Sequence, residues 1–154
     1  YVRRDFTISA VESVLKILLH VDYDDAFVAY INGSEIARAN IGSPGVPPPH
    51  DQGADSWREA EIYQGGEPNE YLIDQVESLL ESGINVLAIQ VHNFNLESSD
   101  LTLIPFLTLG LNGAPQNAQG LSEHLNVADI NLHTNFKISS SGETLVLMTP
   151  DGII

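Results

Sequence analysis

The chain has 154 residues, 43% of them hydrophobic, no cysteine, and a formal net charge of −15 from 21 acidic and six basic side chains. A disulfide scaffold and a thiolate metal site are excluded, and so few Lys and Arg leave no phosphate-binding surface for nucleic acid or an anionic membrane. Neutral sugars, cationic partners and calcium are compatible with this charge.

Residues Val2 to Ile8 alternate and read as a first strand. Val14 to Val21 is more apolar; its short length and the acidic residues after it favour a buried strand over a helix. Asp22, Asp24 and Asp25 then form an acidic turn. Phe27 to Ile31 and Glu35 to Ala39 flank Asn32-Gly33, a pair suited to a type I′ hairpin turn because both central residues need positive φ. From Gly42 to Gly53 the chain contains three consecutive prolines, which cannot donate to a ladder, so a long surface loop is expected.

Ala60 to Tyr63 reads as a short strand before a Gly65-Gly66 turn, and Tyr71 to Ile73 as another strand. Asp74 is placed to cap a short helix from Gln75 to Leu80, which Gly83 would end. Asn85 to His92 is a strong strand, with Val86, Ala88 and Gln90 on one face and Leu87, Ile89 and Val91 on the other. Leu101 to Leu109 closes the set, and Pro105 marks it as an edge or bulged strand. The polar segment 111–122 reads as a linker. Within 123–154, Phe136 to Ser139 and Thr144 to Met148 look like strands of a unit too small for its own core. The longest apolar runs are far shorter than a membrane span. The chain opens at Tyr1 already in strand-like sequence and is read as a piece of a longer protein. Many short strands with turn signals between them predict an all-β, antiparallel β-sandwich with one short helix.

The order of these pieces resembles a known family. Arg3-Arg4-Asp5-Phe6, the Asp22-Tyr23-Asp24-Asp25 segment, Tyr30-Ile31-Asn32-Gly33-Ser34-Glu35 and Gly83 to Asn93 are similar to galactose-binding-like jelly-roll modules of secreted bacterial proteins, over residues 1–110. Leu132 to Leu145 resembles part of a bacterial lamin-tail domain, an immunoglobulin-like module. The two resemblances together imply an exported, extracellular or cell-surface, multidomain setting.

Three constellations can carry chemistry. Asp22, Asp24 and Asp25 can coordinate calcium through oxygens, or bond backbone N–H groups and shape the turn; the spacing lacks the glycine and distant Glu of an EF-hand. His92, Asn93, Ser98, Ser99 and Asp100 flank a loop between two strands, where ligands commonly bind, but no nucleophile motif accompanies them. Trp57 and Tyr63 can stack on the C–H faces of a sugar, or Trp57 can fold back as a core anchor. His20, His50, Asp51, Asp55, His124 and His133 match no recognised metal spacing.

The expectation is a non-catalytic accessory module that binds a neutral glycan or supports neighbouring domains of the same chain. The glycan contacts would be Trp57, Tyr63, His92, Asn93 and Asp100, and calcium is the cofactor to look for. The alternatives are one wall of the active-site cleft of a larger hydrolase, and a structural spacer.

Overall fold

The computed structural model describes residues 1–113 and, beyond them, two short strands near the C-terminus. The strands are β1 (Val2–Ile8), β2 (Val14–Asp24), β3 (Ala26–Ile31), β4 (Ser34–Ala39), β5 (Asn69–Ile73), β6 (Gly83–His92), β7 (Thr102–Leu111), β8 (Met148–Thr149) and β9 (Gly152–Ile153), with one helix, α1 (Val76–Leu79). The chain divides into two compact units, Tyr1–Ser122 and Glu123–Ile154. In the second, β8 pairs antiparallel with β9. The strand expected from Phe136 to Ser139, all but Met148 of the strand expected from Thr144 to Met148, the lamin-tail resemblance, His124 and His133 lie outside the described residues.

The first unit is an antiparallel β-sandwich. One sheet has the order β1-β6-β3-β4 and the other β5-β2-β7. Alternation along each strand explains the core. Ile17, Leu19, Val21 and Tyr23 of β2 meet Phe27, Ala29 and Ile31 of β3 and Ile89 of β6 between the sheets. Phe27 packs edge-to-face against Tyr23 and Tyr71, with centroids 4.8 and 5.5 Å away.

The hairpin forms as its sequence implies. Asn32 and Gly33 both have positive φ, and Ile31 pairs with Ser34 across them. Asn32 also anchors the turn to β6: its Nδ2 donates to the Leu79 carbonyl and the Asn85 side chain, and its Oδ1 accepts the Val86 N–H at 2.9 Å. Pro105 lies on β7, an edge strand, where a missing N–H is tolerated.

The long loop after β4 does not hang free. It covers the outer face of the four-stranded sheet, and Ala26, Val28, Ile41 and Ala54 form a second small core beneath it. Arg38 fastens it: the guanidinium makes a two-point bond to Glu35 at 2.8 Å and donates to the carbonyls of Ile41 and Val46. Glu35 in turn accepts the Gly45 N–H.

Several local expectations need correction. β2 continues through Asp22 to Asp24 instead of ending in an acidic turn, because both residues pair with β7. Residues Ile62–Gln64 form a 3-10 turn, not a strand, closed by Gly65 at φ +83. Asp74 does not cap α1; the cap position is Gln75, and Asp74 pairs with Lys16 at 3.5 Å. The helix ends at Leu80, and Gly83, at φ +105, opens β6. Among the described residues no helix is long and apolar enough to cross a membrane.

Candidate functional site

The chain passes directly from β2 in one sheet to β3 in the other at Asp24-Asp25, so three aspartates collect at one end of the sandwich. They have three different fates. Asp22, fully buried, accepts the N–H groups of Glu61 and Ile62 at 2.9 Å and lies 3.8 Å from the Arg58 guanidinium. Asp25, also buried, accepts the N–H of Arg58 and the N–H of Phe94, both at 2.7 Å, which joins the long loop to the segment after β6. The Asn40 side chain binds the Asp25 carbonyl from the other side. Asp22 and Asp25 thus serve as backbone acceptors, as short polar side chains commonly do in turns. The oxygens that come together with that of Asp24 are those of Glu59 and Asp100, not those of Asp22 and Asp25.

Asp24 differs. It is only 4% exposed, and no N–H, hydroxyl or cationic group among the described residues bonds its carboxylate. Its hydrogen-bonding neighbour is the Asp25 carboxyl. One oxygen each from Asp24, Glu59 and Asp100 lie within 4.8 Å of one another. Glu59 accepts the Tyr63 hydroxyl at 3.1 Å, and Asp100 the Ser98 hydroxyl at 3.3 Å. Burial, followed by the negative charges of Asp25, Asp100 and Glu59, pushes the Asp24 carboxyl up to about 6. The bond to Glu59 raises the Tyr63 hydroxyl above its ordinary value.

The nearest basic residue in sequence does not relieve this charge. Arg58 stacks over the Tyr23 ring at 3.9 Å and donates to the carbonyls of Tyr23 and Glu59, to Glu61 and to Asn69. These bonds run to β2, the loop and β5, and none reaches the carboxylates of Asp24, Glu59 or Asp100.

The residues expected to contact a ligand separate into two groups. Trp57 and Tyr63 are 66% and 69% exposed, so Trp57 is not a core anchor. Tyr63 reaches Asp100 and Asp24 through Glu59. His92 is 5% exposed and lies under the long loop, its Nδ1 2.8 Å from the Gln52 carbonyl. The Asn93 carbonyl accepts the Ala54 N–H. His92 and Asn93 line a recess of about 760 Å³ together with His50, Gln52, Phe94 and Leu96. His92 Nε2 and Asn93 Oδ1 are buried without a protein partner. The buried imidazole faces the loop backbone through Nδ1.

Glu59 was not singled out by sequence. Its position beside Arg58 suggested nothing, because the loop path that brings it to Asp24 depends on Asp22 and Asp25 gripping Arg58, Glu61 and Ile62 from 33 to 40 residues away. No family model matches the chain, and none of the curated proteins or solved structures compared with it is significantly similar.

Proposed function

We propose that this chain is a non-catalytic accessory module of an exported multidomain protein, and that it binds neutral glycans through Trp57 and Tyr63. The observation that carries this reading is the exposure of both rings on a loop whose backbone is otherwise pinned. Asp22 and Asp25 hold the residues between and beside them, Arg58, Glu61 and Ile62. Two large aromatic faces are thereby presented to solvent without the ordering cost of a free loop. Sugars offer apolar C–H faces to such rings and hydroxyls to the polar groups beside them, here Glu59 and Asp100.

The resemblance of residues 1–110 to galactose-binding-like jelly rolls agrees with this class of ligand and with an exported setting. A net charge of −15 disfavours acidic polysaccharides. Affinity for a neutral oligosaccharide is expected in the millimolar to micromolar range, about 4 to 8 kcal/mol.

The test is a neutral-glycan array on the chain, followed by calorimetry with any hit. Trp57→Ala is expected to abolish binding while the melting temperature stays within the range of ordinary surface substitutions. Normal binding by Trp57→Ala removes this surface from consideration. Failure to bind any neutral glycan leaves support of neighbouring domains as the module's role.

A further inference from the structure

We propose that Asn112-Gly113 is a site of spontaneous modification, where the folded protein converts asparagine to aspartate and isoaspartate, while the fold holds the identical pair Asn32-Gly33 unreactive. These are the two Asn-Gly pairs of the sequence. In both, glycine brings no side chain to crowd its own backbone nitrogen, so that nitrogen can approach the preceding carboxamide. Both asparagines are exposed, so access to water does not separate them. Their bonds do. Asn32 Nδ2 donates to the Leu79 carbonyl at 2.9 Å and to Asn85 Oδ1 at 2.8 Å, and its Oδ1 accepts the Val86 N–H. The Asn32 backbone N–H donates to the Val86 carbonyl at 3.0 Å. Asn112, one residue past β7, is fastened by its backbone N–H alone, to the Ser13 carbonyl at 2.9 Å. Among the described residues nothing bonds its carboxamide or the Gly113 N–H.

The step needs water and no other reactant. The Gly113 backbone nitrogen gives up its proton and attacks Asn112 Cγ. The new N–Cγ bond closes a five-membered imide as the Cγ–Nδ2 bond breaks, and Nδ2 leaves with that proton as ammonia. Water then opens the ring. Cleavage between Gly113 N and Cγ gives aspartate. Cleavage between Gly113 N and the Asn112 carbonyl carbon gives isoaspartate, in which the chain runs through the side-chain carbons. Nothing is oxidised or reduced. At Asn32 the same attack requires the carboxamide to leave three hydrogen bonds at once. Reaction there waits for local opening of the hairpin tip, and the free energy of that opening lowers the rate. The product is penalised too. A carboxylate at position 32 would set its oxygens against the Leu79 carbonyl and Asn85 Oδ1, which now receive N–H groups. At position 112 the new charge is exposed and costs little. It adds to a chain already at −15, and isoaspartate lengthens the backbone directly after β7. The site does not rest on the glycan reading, since it concerns the chain and water alone.

The experiment follows the 154-residue chain in warm, mildly alkaline buffer, with a parallel sample in urea. Peptide mass spectrometry measures conversion at each position, and fragment ions distinguish isoaspartate from aspartate. In the native sample Asn112 is expected to convert at least about tenfold faster than Asn32. In urea the two rates are expected to converge, because the pairs are chemically alike once the hairpin bonds are gone. Asn112→Asp is expected to leave the melting temperature unchanged, and Asn32→Asp to lower it by several degrees. The proposal is overturned if Asn32 converts as fast as Asn112 in the native sample, or if neither converts there while the urea sample does. It is also overturned if the native ratio persists in urea, which assigns the difference to flanking sequence instead of the fold, or if the two aspartate variants melt alike. The rates are measured on the parent chain, so they decide even if Asn32→Asp fails to fold.

Discussion

Asp22 and Asp24 lie two residues apart on one face of β2, both buried, yet Asp22 accepts the N–H groups of Glu61 and Ile62 while Asp24 accepts none. Period-two geometry places both on the same side of the strand, under the same loop. Their difference is set by what the loop brings to each: backbone donors over Asp22, two further carboxylates over Asp24.

Removing the two carboxylates should therefore have opposite effects in chelator. Asp22→Ala leaves the Glu61 and Ile62 N–H groups without their acceptor and removes the nearby counter-charge of Arg58, and a loss of about 2 kcal/mol is expected. Asp24→Asn relieves repulsion and supplies a donor to the neighbouring carboxylates, so a gain of about 1 kcal/mol is expected. Urea unfolding of both variants checks the signs.

The pH dependence of the calcium-free protein follows from the same residue. The Asp24 carboxyl is raised in the fold, from 3.8 to about 6, so the folded state binds this proton more tightly than the unfolded chain. Stability from this group then rises as pH falls through about 6 and levels off below 3.8. Glu35 acts in the opposite sense: its bond to Arg38 lowers its carboxyl, and its contribution disappears only in more acid solution, below its ordinary 4.5. The melting temperature in chelator is expected to climb between about pH 7 and pH 5, as group titration near 6 dictates. Scanning calorimetry of Asp24→Asn should show that slope removed.

Asn85 should be among the least replaceable polar residues. It is fully buried; its Nδ2 donates to the carbonyls of Glu81 and Gly83, and its Oδ1 accepts from the Glu81 N–H and the Asn32 side chain. Asn85→Ala orphans several of these groups at once, and a loss of about 3 kcal/mol is expected by chemical unfolding.

Arg38→Ala tests whether the long loop is a fastened cover. The variant frees the carbonyls of Ile41 and Val46 and leaves Glu35 only the Gly45 N–H. Limited proteolysis is expected to cut between residues 42 and 53 in the variant well before the parent is cleaved. Equal resistance in both proteins would show that the small core around Ile41 and Ala54 holds the loop by itself.

Much of the sandwich was legible because its signals are local. The Asn32-Gly33 turn, the Val2 to Ile8 strand and the alternation from Asn85 to His92 each report the backbone of their own residues. The misreadings occur where distant residues decide. β2 looked finished at Val21 because Asp22 and Asp24 are polar, but the overlying loop and β7 make that polar end part of the sheet. Ala60 to Tyr63 has strand-like residues, yet the Asp22 carboxylate binds successive N–H groups there and favours a tight turn. The site behaved likewise. Asp24 and Asp100 stood out as acidic residues near strand ends, but their meeting with Glu59 depends on a loop path that no local pattern encodes. His92 stood out as a polar residue at a strand end, and its burial comes from the loop that folds over it.

The order of the strands has a consequence for how the chain reaches this fold. β1 waits for β6, and although β2 can pair with β5 once Ile73 is made, its longer pairing is with β7, where Val14 lies opposite Leu111, so both sheets are completed only after almost the whole unit has been made. Such pairings carry a high contact order, and domains built from them fold in roughly milliseconds to seconds rather than microseconds. A nascent chain stopped at residue 101 has every strand of the sandwich but β7, and β2 then presents a bare edge on the side away from β5. Synthesis on the ribosome should thus yield a protected sandwich only once Leu111 has cleared the exit tunnel, and shorter fragments should aggregate instead of accumulating as stable intermediates.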